Sequence, residues 1–390
     1  MKQNWTYKKL GEVCETTSGG TPSKDHKEYY EGGTIPWLRS GEVANRCITE
    51  TELSITQEGV ENSSAKLVPI NSVVVAMYGA TVGQVGILKM QTTTNQAVCS
   101  ILPNDSIMPE FLYYTLVAHK KIYLEQAVGG AQPNISQQII KNTTIPVPPL
   151  AEQQRIVSEL DLLQGIIDKQ QAQLKELATL AQSIFYDMFG DPVANEKGWE
   201  VKRLGEVCNV GSSRRIFAEE YVNDGIPFYR SKEIIELSKK QPISVELFIS
   251  EKRYNEIKEN NGMPSIGDLL ITAVGTIGEI WIVDSDKPFY FKDGNIVWLS
   301  KIQASINPLY FQYVLQKLID EYKKKMAIGS AYSALTIVNL KKLGVPVPPL
   351  SLQQEFAEKI EKIERQKTAI SQSLAETRKL FDYTMDKYFG

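Results

Sequence analysis

The chain has 390 residues, about two to three domains' worth at roughly 150 residues each, so a single compact core is not expected. Apolar residues make up 42% and charged residues 23%, an ordinary globular composition that excludes wholesale disorder. The net charge of −3 divides into −1 for residues 1–150, −5 for 151–196, +3 for 197–350 and 0 for 351–390, without the basic excess of a self-sufficient nucleic-acid binder.

Residues 1–150 open on Trp5–Cys14 (WTYKKLGEVC), followed by Thr17–Lys24 (TSGGTPSK). That stretch reads as a flexible, hydroxyl-rich loop ending in lysine, suited to approach a phosphate backbone. Ile35–Val43 (IPWLRSGEV) comes next, then the apolar run Ser72–Met77, whose Gly-containing turn holds Thr81 and Gly83. Short β-branched runs between Gly, Pro, Asn and Ser turns predict an irregular, strand-rich domain. Thr92–Gln96 (TTTNQ) and Gln132–Ser136 (QPNIS) offer amide side chains suited to adenine edges.

At Ile145–Leu150 the run IPVPPL forces an extended segment that cannot be helical, and a long helix is predicted after it. Apolar residues fall at Ile156, Leu160, Leu163, Ile167, Leu174, Leu177, Ala181, Ile184 and Met188, with Gln170 in the one polar slot. Alternating steps of three and four over about five heptads make a coiled-coil seam.

The order then starts again. Trp199–Cys208 (WEVKRLGEVC) answers the first opening, Ile226–Ile234 (IPFYRSKEI) answers 35–43, Thr276–Gly278 answers 81–83, and Val345–Gln354 answers Ile145–Gln154. The offset drifts from 191 to 200, a duplication with small loop insertions. The last segment repeats the seam at Phe356, Ile360, Ile363, Ile370, Leu374, Phe381 and Tyr388, with polar Lys367, Thr377 and Thr384. Equal length and shared register favour pairing of the two helices; an antiparallel pairing would put the domains at opposite ends of a rod. Four segments are expected: domains at 1–150 and 197–350, spacer helices at 151–196 and 351–390.

The framework repeats while the polar loops diverge. Where the first copy has SGGTPS, the second has Gly211–Arg215 (GSSRR), with two arginines able to reach guanine edges or phosphates. Where it has TTTNQ and QPNIS, the second has Lys292–Asn295 (KDGN) and Ser330–Ser333 (SAYS). Two related readers of different specificity would look like this, although each loop can also be read as an ordinary polar surface.

Catalytic equipment is sparse. No P-loop or amino-methyltransferase NPP[YF] tetrapeptide occurs, and the two histidines leave little for a metal site or triad. Cys14 and Cys208, at equivalent places, read as small buried hydrophobes. Four dispersed cysteines fit a reducing compartment, and no apolar run approaches a bilayer span, so a soluble, cytoplasmic chain is expected.

The combination of W-x-x-K-x-L-G-E-V-C at both openings, SGGTPS at 18–23, IPW-x-R-S at 35–40, GATVG at 79–83 and NISQQIIKNTTIPVPPLAEQQRIV at 134–157 closely resembles the DNA specificity subunits of type I restriction–modification enzymes, over essentially the full chain. The resemblance implies an α+β fold: two tandem mixed target recognition domains separated by long helices in an antiparallel coiled coil. Each domain would read one half of a split, asymmetric site in double-stranded DNA, and the coiled coil would set the gap. It implies no catalysis and no cofactor on this chain. Two modification subunits would dock and methylate adenine with S-adenosylmethionine, and restriction subunits, where present, would add translocation driven by ATP and Mg. The DNA-contact candidates are Ser18, Gly19, Gly20, Thr21, Ser23, Lys24, Arg39, Thr81 and Gln96 in the first domain, and Arg214, Arg215, Arg230, Thr276 and Lys292 in the second. A different class stays open: a duplicated adaptor that holds two protein partners apart and never touches DNA.

Overall fold

The computed structural model describes residues 5–43, 45–129, 133–327 and 335–390. The fold is α+β, and the chain forms two compact units, Met1–Ala172 with Ser371–Gly390, and Gln173–Ile370. Each unit therefore takes part of both long helices, Leu150–Phe189 and Leu350–Phe389.

In unit 1 a five-stranded sheet runs in the order Thr16–Ser18, Val98–Ile101, Val73–Ala76, Val85–Leu88, Cys47–Ile48. Its central strand is the run VVVA, buried at all four positions, because β-branched side chains fit a pleated surface covered on both faces. A second sheet orders Leu53–Ile55, Ile35–Leu38, Thr92–Thr94 and Leu67–Val68. Thr6–Lys9 pairs antiparallel with Thr144–Val147, so the opening of the domain is closed by the strand that leads into PVPPL. The helix Pro109–Ala118, with proline at its first position where no backbone donor is needed, covers the sheet.

Unit 2 repeats the plan. Asn209–Gly211, Ile296–Ser300, Leu269–Thr272 and Ile280–Ile282 form one sheet; Tyr221–Val222, Phe248–Ile249, Ile226–Tyr229 and Tyr290–Phe291 form the other. Val201–Arg203 pairs with Gly344–Pro346 as its closing ribbon.

The predicted seam is buried at the start of each helix and at Ala181, Leu374 and Tyr388, and part-buried at Leu174, Leu177, Ile184, Met188, Ile370 and Phe381. Ile156, Leu160, Leu163 and Ile167 are within 9% of fully covered, as are Phe356, Ile360 and Ile363. Within unit 1 the two helical segments run antiparallel: Arg155 donates to the Tyr388 hydroxyl at 3.1 Å, and the Gln170 amide to the Ser373 hydroxyl at 2.8 Å. Within unit 2 the end of the first helix meets the start of the second through Phe185 and Phe189, whose rings lie 5.7 and 5.4 Å from Phe356. These two phenylalanines lie off the predicted seam. They sit one position further round the helix, where they also pack on Tyr310 of the domain.

One polar side chain fastens each domain to its long helix. Gln153 is fully buried; its carbonyl accepts the Met108 N–H at 2.8 Å, and its amide donates to the carbonyls of Ser106 and Pro148 at 3.0 and 2.9 Å. Gln353 makes the same three bonds to Asn307, Ser305 and Pro348. Leucine at either position fills a similar volume but orphans a buried donor and two buried acceptors. Gln153→Leu or Gln353→Leu is expected to cost about 2–4 kcal/mol, read from the urea midpoint of that unit.

Candidate nucleic-acid interface

The loop after the first sheet strand is packed at Gly19 and Gly20, both buried, where the sequence reading expected an open, flexible stretch. Ser18 ends that strand, opposite Cys99. A Cβ on Gly19 would lie 1.8 Å from the Thr94 carbonyl oxygen, and one on Gly20 would lie 2.5 Å from the Ser64 carbonyl carbon. The two glycines are there because backbone passes them on both sides, not for freedom of motion. Gly20 is held further, its N–H to the Thr94 carbonyl at 2.9 Å and its own carbonyl accepting the Trp37 indole at 3.0 Å. The loop is thus clamped, and it delivers Thr21 to Gln96, whose amide oxygen accepts the threonine hydroxyl. Ser23 and Lys24 follow, both exposed. Of TTTNQ, the three threonines are a buried strand; Thr92 and Thr93 both donate to the Pro36 carbonyl, which leaves only the amide end outward.

Unit 2 builds the same contact with different chemistry. The Ser212 hydroxyl accepts the Gly294 N–H at 3.3 Å, the Arg214 N–H reaches the Tyr290 hydroxyl at 2.6 Å, and Arg215 pairs with Asp293 at 2.9 Å. Ile216 anchors the loop in the core and leaves the Arg214 and Arg215 side chains exposed; Lys292, also exposed, is next in sequence to the Asp293 that Arg215 pairs with. In both copies, then, the loop after the first sheet strand lies across the turn that enters the second sheet strand: Thr21 over Gln96, Arg215 over Asp293.

The Gly turns are also decided. A Cβ on Gly83 would sit 3.2 Å from Lys120 and one on Gly278 2.8 Å from Ile319, both at positive φ. The turn is shaped by the helix packed against it. It carries Thr81 half-buried, donating to the Tyr78 carbonyl at 3.3 Å, and Thr276 exposed.

Arg39 and Arg230, proposed from sequence as DNA contacts, are engaged inside their own units. Arg230 reaches Glu233 at 2.9 Å and Glu246 at 2.9 Å, and the Glu233 carboxylate is 1% exposed. Arg39 pairs in the same way with Glu42 and Glu52. The cause is local: R-S-x-E places a glutamate one turn on, where it also accepts the arginine's own N–H. Sequence reasoning passed over Arg46, which bonds Asp161 at 2.6 Å and lies over the Tyr113 and Tyr114 rings, tying the domain to the helix. Desolvation and the Asp161 carboxylate push the Tyr114 phenol far above its ordinary pKa.

Of QPNIS, Gln132 lies outside the described residues, Asn134 bridges Tyr78, and Ser136 caps the helix Gln137–Lys141. Its counterpart 330–333 also lies outside them. Cys14 and Cys208 are buried, and burial lifts the Cys208 thiol to about 12, so the thiolate is scarce at neutral pH. No helix among the described residues is long and apolar enough to cross a membrane.

The type I restriction modification DNA specificity domain model matches residues 2–179 and again 196–377. A type I restriction enzyme MjaIX specificity subunit from Methanocaldococcus jannaschii is 29% identical over 91% of this chain and 86% of its own length. The EcoR124I/EcoR124II specificity subunit of Escherichia coli is 33% identical over 40% of each chain. In fold, the chain is similar to the type I restriction–modification S subunit from M. genitalium, with a TM-score of 0.61 over 100% of this chain and 97% of that one at 17% identity.

Proposed function

The chain belongs to the type I restriction–modification DNA specificity family, and from that premise we propose that each unit reads one half of a bipartite, asymmetric site in double-stranded DNA. The observation that carries this reading is the shared frame with divergent contacts. Both copies lay one loop over one turn, but the first offers Thr21 and Gln96 and the second offers Arg214, Arg215 and Lys292. Hydroxyl and amide groups suit adenine edges, and guanidinium groups suit guanine. A single bidentate contact is worth about 1–3 kcal/mol of discrimination, so the two half-sites differ in sequence. The adaptor reading has no support: the relatives are specificity subunits of restriction enzymes.

The chain works as the recognition component of a larger assembly. We infer that two modification subunits dock on it and that S-adenosylmethionine, ATP and Mg act on partner subunits, restriction subunits among them where present. Such an assembly works where the genome is, in the cytoplasm. Near-neutral charge supports this division of labour, since partners must then provide much of the phosphate grip.

A genome-wide map of N6-methyladenine with and without this gene tests the reading. Deletion is expected to erase one bipartite motif with an unread gap, and a pull-down with the full chain to bring down a methyltransferase. Loss of a continuous palindromic motif overturns the two-reader mechanism, and capture of partners without any methyltransferase restores the adaptor.

A further inference from the structure

The strand Val73–Ala76 ends in a turn that presents one large, unused side chain. Tyr78 is 45% exposed, and among the described residues its hydroxyl has no hydrogen-bond partner and its ring no aromatic neighbour. Three other tyrosines of the unit are engaged: Tyr30 donates to the Pro22 carbonyl, Tyr114 to Asp161, and Tyr123 shares a bond with Thr143, while Tyr7 and Tyr383 are exposed but lie away from the recognition loops, on the strand Thr6–Lys9 and the second long helix. The backbone at Tyr78, by contrast, is held from two sides. The Met77 N–H reaches the Ala97 carbonyl at 2.8 Å, the Ile135 N–H reaches the Met77 carbonyl at 2.9 Å, and the Gly79 N–H reaches the Pro133 carbonyl at 2.9 Å. Such anchoring fixes the backbone that carries the ring, so only the two side-chain torsions of Tyr78 are left to order on contact.

Its neighbours say what the contact is. Asn134 is its antiparallel bridge partner, which brings the two side chains within reach on one face. Gln96 stands on the other side, one residue before the Ala97 that takes the Met77 N–H, and carries Thr21 with it. An aromatic ring between two amides fits the edge of an A·T pair: amides bond adenine, and the apolar group on that edge of the major groove is the thymine 5-methyl. Unit 2 keeps the device in aliphatic form. Val274, 39% exposed, follows an Ala273 whose N–H reaches the Asn295 carbonyl at 2.8 Å, beside the turn that carries Asp293 and Lys292.

We propose that Tyr78 is a specificity-determining residue of unit 1, its ring set against the 5-methyl group of a thymine in the first half-site between the adenine-reading amides of Gln96 and Asn134. The proposal rests on the DNA-recognition reading above. Its test is binding of the full chain, in complex with the methyltransferase it co-purifies with, to duplexes of the mapped motif. Each thymine is replaced in turn by deoxyuridine, which removes the methyl group alone. One position in one half-site is expected to weaken binding by about five- to tenfold. Tyr78→Ala abolishes the sensitivity at that position only, Tyr78→Phe retains it, and both variants melt like the parent because the side chain is exposed. A Tyr78→Ala profile identical to the parent's overturns the assignment, as does uniform weakening across unrelated sequences or a half-site without thymine. A parent complex that prefers no duplex overturns instead the DNA-recognition reading on which the proposal stands.

Discussion

Removing seven residues from the middle of each long helix, 168–174 and 369–375, is expected to leave both half-site sequences intact and shorten the unread gap between them. The two segments are partners in register, since Gln170 bonds Ser373 one residue from the centre of each. Seven residues are close to two helical turns, so the seam keeps its face on either side of the deletion. The helices lose about 10 Å at ~1.5 Å per residue, and at ~3.4 Å per base pair the gap contracts by about three. Three base pairs also turn one half-site by about a third of the DNA helix, so methylation is expected to weaken as the gap moves. An adenine-methylation map of cells carrying the shortened chain reads both effects. Altered half-site bases at an unchanged gap would show that the helices are not what measures it.

Arg230→Ala is expected to destabilise unit 2 by about 3 kcal/mol, whereas Arg39→Ala costs unit 1 about 1 kcal/mol or less. The difference lies in the carboxylates left behind. Glu233 is 1% exposed and loses a guanidinium held at 2.9 Å, while Glu42 keeps some solvent and Glu52 is largely in water. Adding Glu233→Gln to Arg230→Ala removes the stranded charge and is expected to recover much of the loss. Urea unfolding of the three variants measures it. If Arg230→Ala leaves the midpoint where it was and lowers DNA affinity instead, the arginine is a DNA contact after all.

Those two arginines show where the sequence was legible and where it was not. The duplication, the proline joints and the heptad seam all depend on local pattern, and local pattern survives in a string of letters. What an arginine does depends on who meets it. Glu246 stands 16 residues beyond Arg230, and only the fold brings it within 2.9 Å. Gly19 and Gly20 were ambiguous for another reason, because glycine has two opposite uses. It marks a chain that must move or a chain that another backbone must pass, and TSGGTPS reads equally well as either. Phe185 and Phe189 were missed because a seam search asks only for the face toward the partner helix, and these rings face the domain as well. Tyr78, at the end of VVVAMY, looks like one more core aromatic until the turn lifts it out. Of the predicted contacts, the structure groups Thr21 with Gln96, and Arg215 with the turn that carries Lys292, from stretches about 75 residues apart. Nothing in spacing alone joins them.

The twin glutamine joints bear on how such a chain acquires a new target. Every group that Gln153 and Gln353 hold is main-chain: an N–H and two carbonyls each, from Met108, Ser106 and Pro148 in one copy and Asn307, Ser305 and Pro348 in the other. The joint is blind to side-chain identity, as the exchange of methionine for asparagine already shows. A foreign segment that follows the same backbone path is therefore held at this joint as well as the native one, and only the side-chain ties, Arg46 to Asp161 and Tyr310 to Phe185 and Phe189, have to be met anew. Recombination at the repeated proline runs can then trade a whole reader as a cassette, changing the address the enzyme answers to in one genetic step while its scaffold is inherited unaltered.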